Sequence, residues 1–234
     1  MNHTEIEPPP RSLTLMEGRA LFEGLSLFAA WPWLAMAARG DGRPVVLAPG
    51  YGAGDASMAP LYRYLEWLDY DVHHWGLGKN RGKVSVYVEE LRARVRELHG
   101  THRGATVTLI GWSLGGVVMR EVARLEPDFV REVITLGTPI KGGPAYTLLS
   151  RQIARGEHLD LDHFEIEAHE RNMQGINCPV TSIYSKTDGV VPWRSSIDDH
   201  NPQACNLRVP GSHLGLAFNP CVLDIIAASL AGRR

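Results

Sequence analysis

The chain reads as an α/β protein built on a doubly wound, mostly parallel sheet of about six strands, and three observations predict it. Short apolar runs rich in Val, Ile and Leu alternate with longer stretches whose apolar residues recur at helical spacing, the pattern of a parallel sheet covered on both faces. Three of those runs lead into glycine-rich turns, GYGAG at 50–54, GWSLGG at 111–116 and GTPIKGG at 137–143. The length, 234 residues, suits one α/β domain of ordinary size, which buries roughly 70% of its unfolded surface without staples.

The first strand is placed at 44–49 (PVVLAP), opening into the loop 50–54. Helical spacing of Leu61, Leu65 and Leu68 predicts a helix over 57–68. Residues 71–75 read as the second strand, followed by a polar loop with Gly76, Gly78 and Gly82. Over 84–98 the pattern is strongly amphipathic, with Val88, Leu91 and Val95 inward and Glu90, Arg92 and Arg94 outward. A buried strand at 106–110 runs straight into GWSLGG, and a helix over 114–125 stops before Pro127. Strands follow at 133–136, 180–184 and 206–209, and a closing helix at 220–231 carries Pro220 in its first turn. Residues 144–174 are helical in pattern, rich in charge and interrupted by Gly156. They exceed an ordinary crossover and are expected to form a small inserted lid.

The chain divides into an N-terminal extension with a helix, residues 1–40, and the α/β domain, residues 41–234 with the insertion. Residues 1–12 are acidic and contain Pro8, Pro9 and Pro10, unlike the basic start of a signal peptide. The uncharged run at 24–36 is too short to span a bilayer, which takes about 20 apolar residues. A helix over 13–38, kinked near Pro32, is expected to dock on the domain. Peripheral membrane contact is the alternative, though the basic excess of an interfacial helix is missing. A cytoplasmic protein, with membrane association through this helix as an option, is the expected setting.

Composition removes several function classes. Charged residues make up 21% and the net charge is −2, so nothing attracts nucleic acid. The three cysteines, Cys178, Cys205 and Cys221, are too few and scattered for a disulfide scaffold or zinc site, and free thiols are expected. No convincing carboxylate cluster appears, and no metal is expected.

The chemistry lies in Gly111-Trp112-Ser113-Leu114-Gly115, which matches the G-x-S-x-G nucleophile elbow. The serine sits on a sharp strand-to-helix turn, and glycines two positions either side remove side chains that would collide there. A serine hydroxyl needs a base to take its proton and an acid to orient that base. His213, in GSHLG after the last strand, is placed to reach back over the sheet. His200 is its rival in a polar stretch, and His158, His163 and His169 fall in the insertion. Asp188, in SKTDG directly after the strand TSIY, is the candidate acid, since a carboxylate there can fix the imidazole tautomer. It could instead close an Asx-turn before Gly189, and Asp198 and Asp199 are alternatives. Acyl transfer also needs two backbone N–H groups aimed at the developing oxyanion. Leu114 after the nucleophile and Tyr51 in the first loop are the candidates. Trp112, Val190 and Leu214 beside the triad, with Tyr146, Leu148 and Leu149 on an apolar face of the insertion, are the candidate substrate contacts.

Taken together, APGYGAGD, GWSLGG, ITLGTPIKGG, YSKTDGVVPW and GSHLGLAFNP resemble the bacterial lipase and esterase branch of the α/β-hydrolases, which is similar to class 2 lipases and GPI inositol-deacylases. The likeness runs over residues 44–230. It implies Ser113 as nucleophile, Asp188 as acid, His213 as base and oxyanion amides from Tyr51 and Leu114. It also implies hydrolysis of carboxylic esters, lipid-like or medium-chain, through an acyl-enzyme without a cofactor. Pro49-Gly50 stands where many lipases carry His-Gly, so the oxyanion loop must be held by other bonds. The same triad serves thioesterases, amidases and acyltransferases, and the fold also occurs as a catalytically silent binding module.

Overall fold

The computed structural model describes residues 6–141, 171 and 175–233. Six strands form one sheet: β1 (Pro44–Ala48), β2 (Asp71–His74), β3 (Val107–Trp112), β4 (Val130–Leu136), β5 (Val180–Tyr184) and β6 (Ala204–Arg208), in the spatial order β2-β1-β3-β4-β5-β6. Every pairing is parallel, so all six carboxyl ends lie along one edge of the sheet. From β1 the chain goes outward to β2 and then returns to the other side of β1 as β3. That reversal is the switch point at which open α/β sheets gather their ligand crevices.

Period-two alternation sends successive strand residues to two cores. Val45, Leu47, Ile110, Ile134 and Ile183 pack on one face, with Leu61 and Leu65 of α3 (Ala59–Trp67) and Ile226 of α6 (Pro220–Leu230). Val46, Leu109 and Val133 pack on the other, against Val88, Leu91 and Val95 of α4 (Val84–Thr101) and Val118 and Met119 of α5 (Leu114–Leu125). Strands buried on both faces carry no polar stripe, which is why they appear in the sequence as unbroken apolar runs.

Three elements differ from the sequence expectation. β4 begins at Val130, because exposed Arg131 interrupts its apolar run without ending the ladder. β6 is shifted to Ala204–Arg208, an edge strand only half-buried along most of its length and so weakly patterned. The single helix expected over 13–38 is instead α1 (Arg11–Leu15), a 3₁₀ turn at Met16–Arg19, and α2 (Ala20–Leu34), which continues two residues past Pro32. The expected insertion at 144–174 falls outside the described residues except for Arg171. No disulfide joins Cys178, Cys205 and Cys221.

Candidate active site

Ser113 follows β3 directly and adopts φ 54° and ψ −124°, a region that costs a non-glycine residue about 1–3 kcal/mol. The surrounding glycines make this turn possible. A Cβ on Gly111 would run into the backbone of Gly116, and one on Gly115 into the carbonyls of Ala48 and Pro49. Strand β3, helix α5 and the end of β1 therefore meet at backbone distance around Ser113. Its main chain is held on both sides: its N–H donates to the Leu136 carbonyl (2.8 Å), and its carbonyl accepts from Thr138 Oγ1 (3.0 Å).

Asp188 and His213 form a buried pair. Asp188 Oδ2 lies 2.7 Å from His213 Nδ1. The other carboxylate oxygen, Oδ1, accepts from the N–H groups of Val190 (2.8 Å) and Val191 (2.7 Å). Closing the turn and binding the imidazole, which compete when read from sequence, are thus done together by the two oxygens of one carboxylate. Burial pulls the His213 pKa down, but the Asp188 carboxylate and, less strongly, Glu17 outweigh it, and the pKa is raised. With Nδ1–H directed at Asp188, Nε2 is left as the basic nitrogen. Gly137, at the end of β4 with φ +56°, leaves space for this pair: a Cβ there would meet His213 Nδ1 at 3.0 Å and Asp188 Oδ2 at 3.1 Å.

The loop expected to hold the oxyanion lies against Ser113. A Cβ on Gly50 would stand 3.2 Å from Ser113 Cβ. Half-buried Tyr51 follows it, and Leu114 is the first residue of α5, where the N–H has no intrahelical partner. Fully buried Asn80 fixes the loop. Its Nδ2 donates to the Pro49 carbonyl (2.9 Å), its carbonyl accepts from Gly52 N–H (2.7 Å), and its N–H donates to the Ala53 carbonyl (2.8 Å). These bonds hold the loop that carries Pro49-Gly50 in place of His-Gly. In sequence Asn80 looked like one more polar loop residue.

The most consequential group missing from the sequence reading is Glu17. Its carboxylate is buried, with Oε1 accepting from the N–H groups of Gly189 (2.8 Å) and His213 (3.0 Å) and Oε2 from Leu214 N–H (2.9 Å). One side chain of the N-terminal segment thereby joins the Asp188 loop to the His213 loop. Glu23 adds a second tie, accepting from Ser212 N–H (2.9 Å) and Ser212 Oγ (2.7 Å), and Arg19 donates to the Thr187 carbonyl (2.8 Å). Leu13 packs so closely that a Cβ on Gly189 would strike its carbonyl. Between residues 6–13 and the Asp188 loop lies a cleft of about 400 Å³, walled by Pro9, Leu13, Asp188 and Trp193.

The other candidates are placed as follows. Trp112 is buried; its indole N–H donates to the His213 carbonyl (3.1 Å), and its ring packs against the imidazole. Val190 is half-buried beside Asp188, and Leu214 is exposed beside His213. Tyr146, Leu148 and Leu149 lie outside the described residues. The rival acid Asp198 is committed elsewhere, to Arg120 at 2.7 Å in a buried ion pair, and His200 lies near Asp199 (3.6 Å).

No family model matches the chain. A pimeloyl-[acyl-carrier protein] methyl ester esterase of a Shewanella species is 30% identical over 113 residues, 46% of this chain and 39% of that protein. A triacylglycerol lipase of Pseudarthrobacter phenanthrenivorans is 31% identical over 108 residues, 42% of this chain and 34% of that protein. The chain thus matches well under half the length of these curated relatives. Among solved structures, a lipase-esterase related protein from Clostridium acetobutylicum superposes with a TM-score of 0.57 at 19% identity, covering 84% of this chain and 97% of that one. With the six-stranded parallel sheet, this likeness fixes the architecture. The chain has the α/β-hydrolase fold. In chain order, Ser113 follows β3, Asp188 follows β5 and His213 follows β6.

Proposed function

We propose that this α/β-hydrolase is a serine-dependent carboxylic ester hydrolase. The observation that carries the reading is the buried Asp188–His213 pair at 2.7 Å, bound through Trp112 to the turn that holds Ser113 in its strained conformation. In this reading His213 Nε2 takes the Ser113 hydroxyl proton as Oγ attacks the ester carbonyl. The N–H groups of Tyr51 and Leu114 receive the oxyanion. His213 then passes the proton to the departing alcohol, leaving an acyl-enzyme on Ser113. Water, deprotonated by the same imidazole, releases the carboxylic acid and restores the serine. Asp188 keeps its charge throughout and stabilises the imidazolium. The partial sequence relatives, named for a methyl ester and for triacylglycerol, support an ester substrate.

A lipid-like or medium-chain acyl ester is favoured by the outer face of α2. Leu21, Phe22, Leu25 and Phe28 are 64–82% exposed, whereas Glu23, the only charged residue of the helix, turns inward to Ser212. This is the reverse of a water-facing helix, and it borders the segment that holds the catalytic loops. In this reading the face rests on a lipid surface, bringing ester substrate toward Ser113. Among the described residues no helix is long and apolar enough to cross a membrane. Hydrolysis of p-nitrophenyl esters from acetate to laurate tests the reading. Turnover is expected to fall by orders of magnitude in Ser113→Ala and His213→Ala. Replacing Phe22 and Phe28 by Ser is expected to weaken binding to neutral phosphatidylcholine vesicles while leaving acetate-ester turnover intact. No ester turnover in the folded chain would overturn the catalytic reading, and unchanged vesicle binding would overturn the lipid contact.

A further inference from the structure

At the opposite end of the sheet from Ser113, three side chains converge. Asp71 and His73 lie two residues apart on edge strand β2, so period two places them on one face. His102 caps the C-terminus of α4, the crossover helix leading to β3. Asp71 Oδ2 stands 2.8 Å from His73 Nε2 and 2.7 Å from His102 Nε2, and the three donor atoms lie within 4.8 Å of one another. All three side chains are partly open to solvent.

The orientation of His102 gives this cluster its meaning. Its Nδ1 is 2.9 Å from the Leu98 carbonyl, an acceptor only, so Nδ1 carries the proton. Nε2 faces the carboxylate and shares with Asp71 Oδ2 a proton that a bound cation would displace. A backbone carbonyl on one ring nitrogen, with the other directed at a shared point, is the arrangement that orients metal-binding histidines. We propose that Asp71, His73 and His102 form a zinc site, with water completing the tetrahedron. Two imidazoles and one carboxylate suit zinc rather than calcium or magnesium, which take oxygen donors. A tetrahedral ion with bonds of about 2.0–2.1 Å holds neighbouring donors about 3.3 Å apart, so a small rotation of the exposed Asp71 carboxylate admits it. The ion would clip the start of edge strand β2 to the end of α4. Because it sits at the amino-terminal edge of the sheet, it acts on stability and leaves the ester chemistry alone. The sequence gives no warning of it, since DVH and a histidine 29 residues after it match no metal motif.

The test uses tag-free full-length chain stripped with chelator, then titrated with zinc chloride by calorimetry and equilibrium dialysis. One zinc per chain is expected, with a melting temperature raised by roughly 5–10 °C at a hundredfold excess over the dissociation constant. Cobalt(II) should give the visible bands of a tetrahedral site. Both signals are expected to vanish in His73→Ala and in the milder His102→Gln, while turnover of a short ester changes less than about twofold. Zinc bound equally by wild type and both variants would place the metal on other histidines and overturn the proposal. So would a wild-type melting temperature indifferent to zinc and chelator, a result that does not depend on how any variant folds.

Discussion

Replacing Glu17 should loosen the Asp188 and His213 loops from a distance in sequence of more than 170 residues. Glu17→Ala strands three N–H groups, those of Gly189, His213 and Leu214, in a buried setting. Each stranded donor costs about 1–3 kcal/mol, and water entering the vacated space recovers part of it, so a loss of roughly 3–5 kcal/mol is expected. Glu17→Gln is milder. Its single oxygen can keep the Gly189 and His213 bonds, but its NH₂ group must face Leu214 N–H, which sets the loss at roughly 1–3 kcal/mol. Urea titration measures both. Loops freed by even 1 Å can lower the rate about a hundredfold, so kcat/KM for a short ester should drop in both variants. The pH profile separates positioning from mere loss of stability. Glu17's negative charge helps to raise the His213 pKa. Removing it lowers that pKa, keeps the imidazole neutral to more acid conditions, and moves the acid limb of kcat/KM to lower pH. A Glu17→Gln protein with wild-type stability, kcat/KM and acid limb would refute the reasoning.

Three further outcomes are expected. Arg120→Met leaves Asp198 buried without its cationic partner and should cost about 3–5 kcal/mol in a urea melt, whereas Arg120→Met combined with Asp198→Asn, which removes the charge and keeps an oxygen for the Asn201 N–H, should recover part of it. Gly137→Ala, at φ +56° with its new methyl group near Asp188 Oδ2 and His213 Nδ1, should lower kcat by more than tenfold without a matching rise in KM. Asn80→Ala releases the Pro49 carbonyl and its loop, and should cost up to the roughly hundredfold that loss of one oxyanion donor causes, measured as kcat on the same ester.

The sheet was readable because its strands are buried on both faces: Val46 and Leu47 are equally apolar although they enter different cores. The strained turn at Ser113 was readable because such a turn needs glycines at fixed spacing, and the Asp188–His213 pair because both residues follow strand ends. What escaped depended on direction rather than residue type. Glu17 and Glu23 sit on helical turns, where a carboxylate ordinarily faces water, yet both point inward to backbone N–H groups while Leu21 and Phe28 point out. Periodicity records which residues share a face of a helix but not which face is buried. Asp198 misled in the other sense: its neighbours look like surface, but Arg120 draws it into the core. Asp71, His73 and His102 are brought together only by the packing of an edge strand against the end of a crossover helix.

In the proposed mechanism Ser113 is a nucleophile activated by the His213–Asp188 pair. Labelling the folded chain with a fluorophosphonate and locating the adduct by peptide mass spectrometry tests it most directly. One adduct per chain is expected, on Ser113, formed rapidly in wild type, slowed by orders of magnitude in His213→Ala and slowed strongly in Asp188→Asn. An adduct on another residue, or labelling of Ser113 at an unchanged rate in His213→Ala, would contradict it.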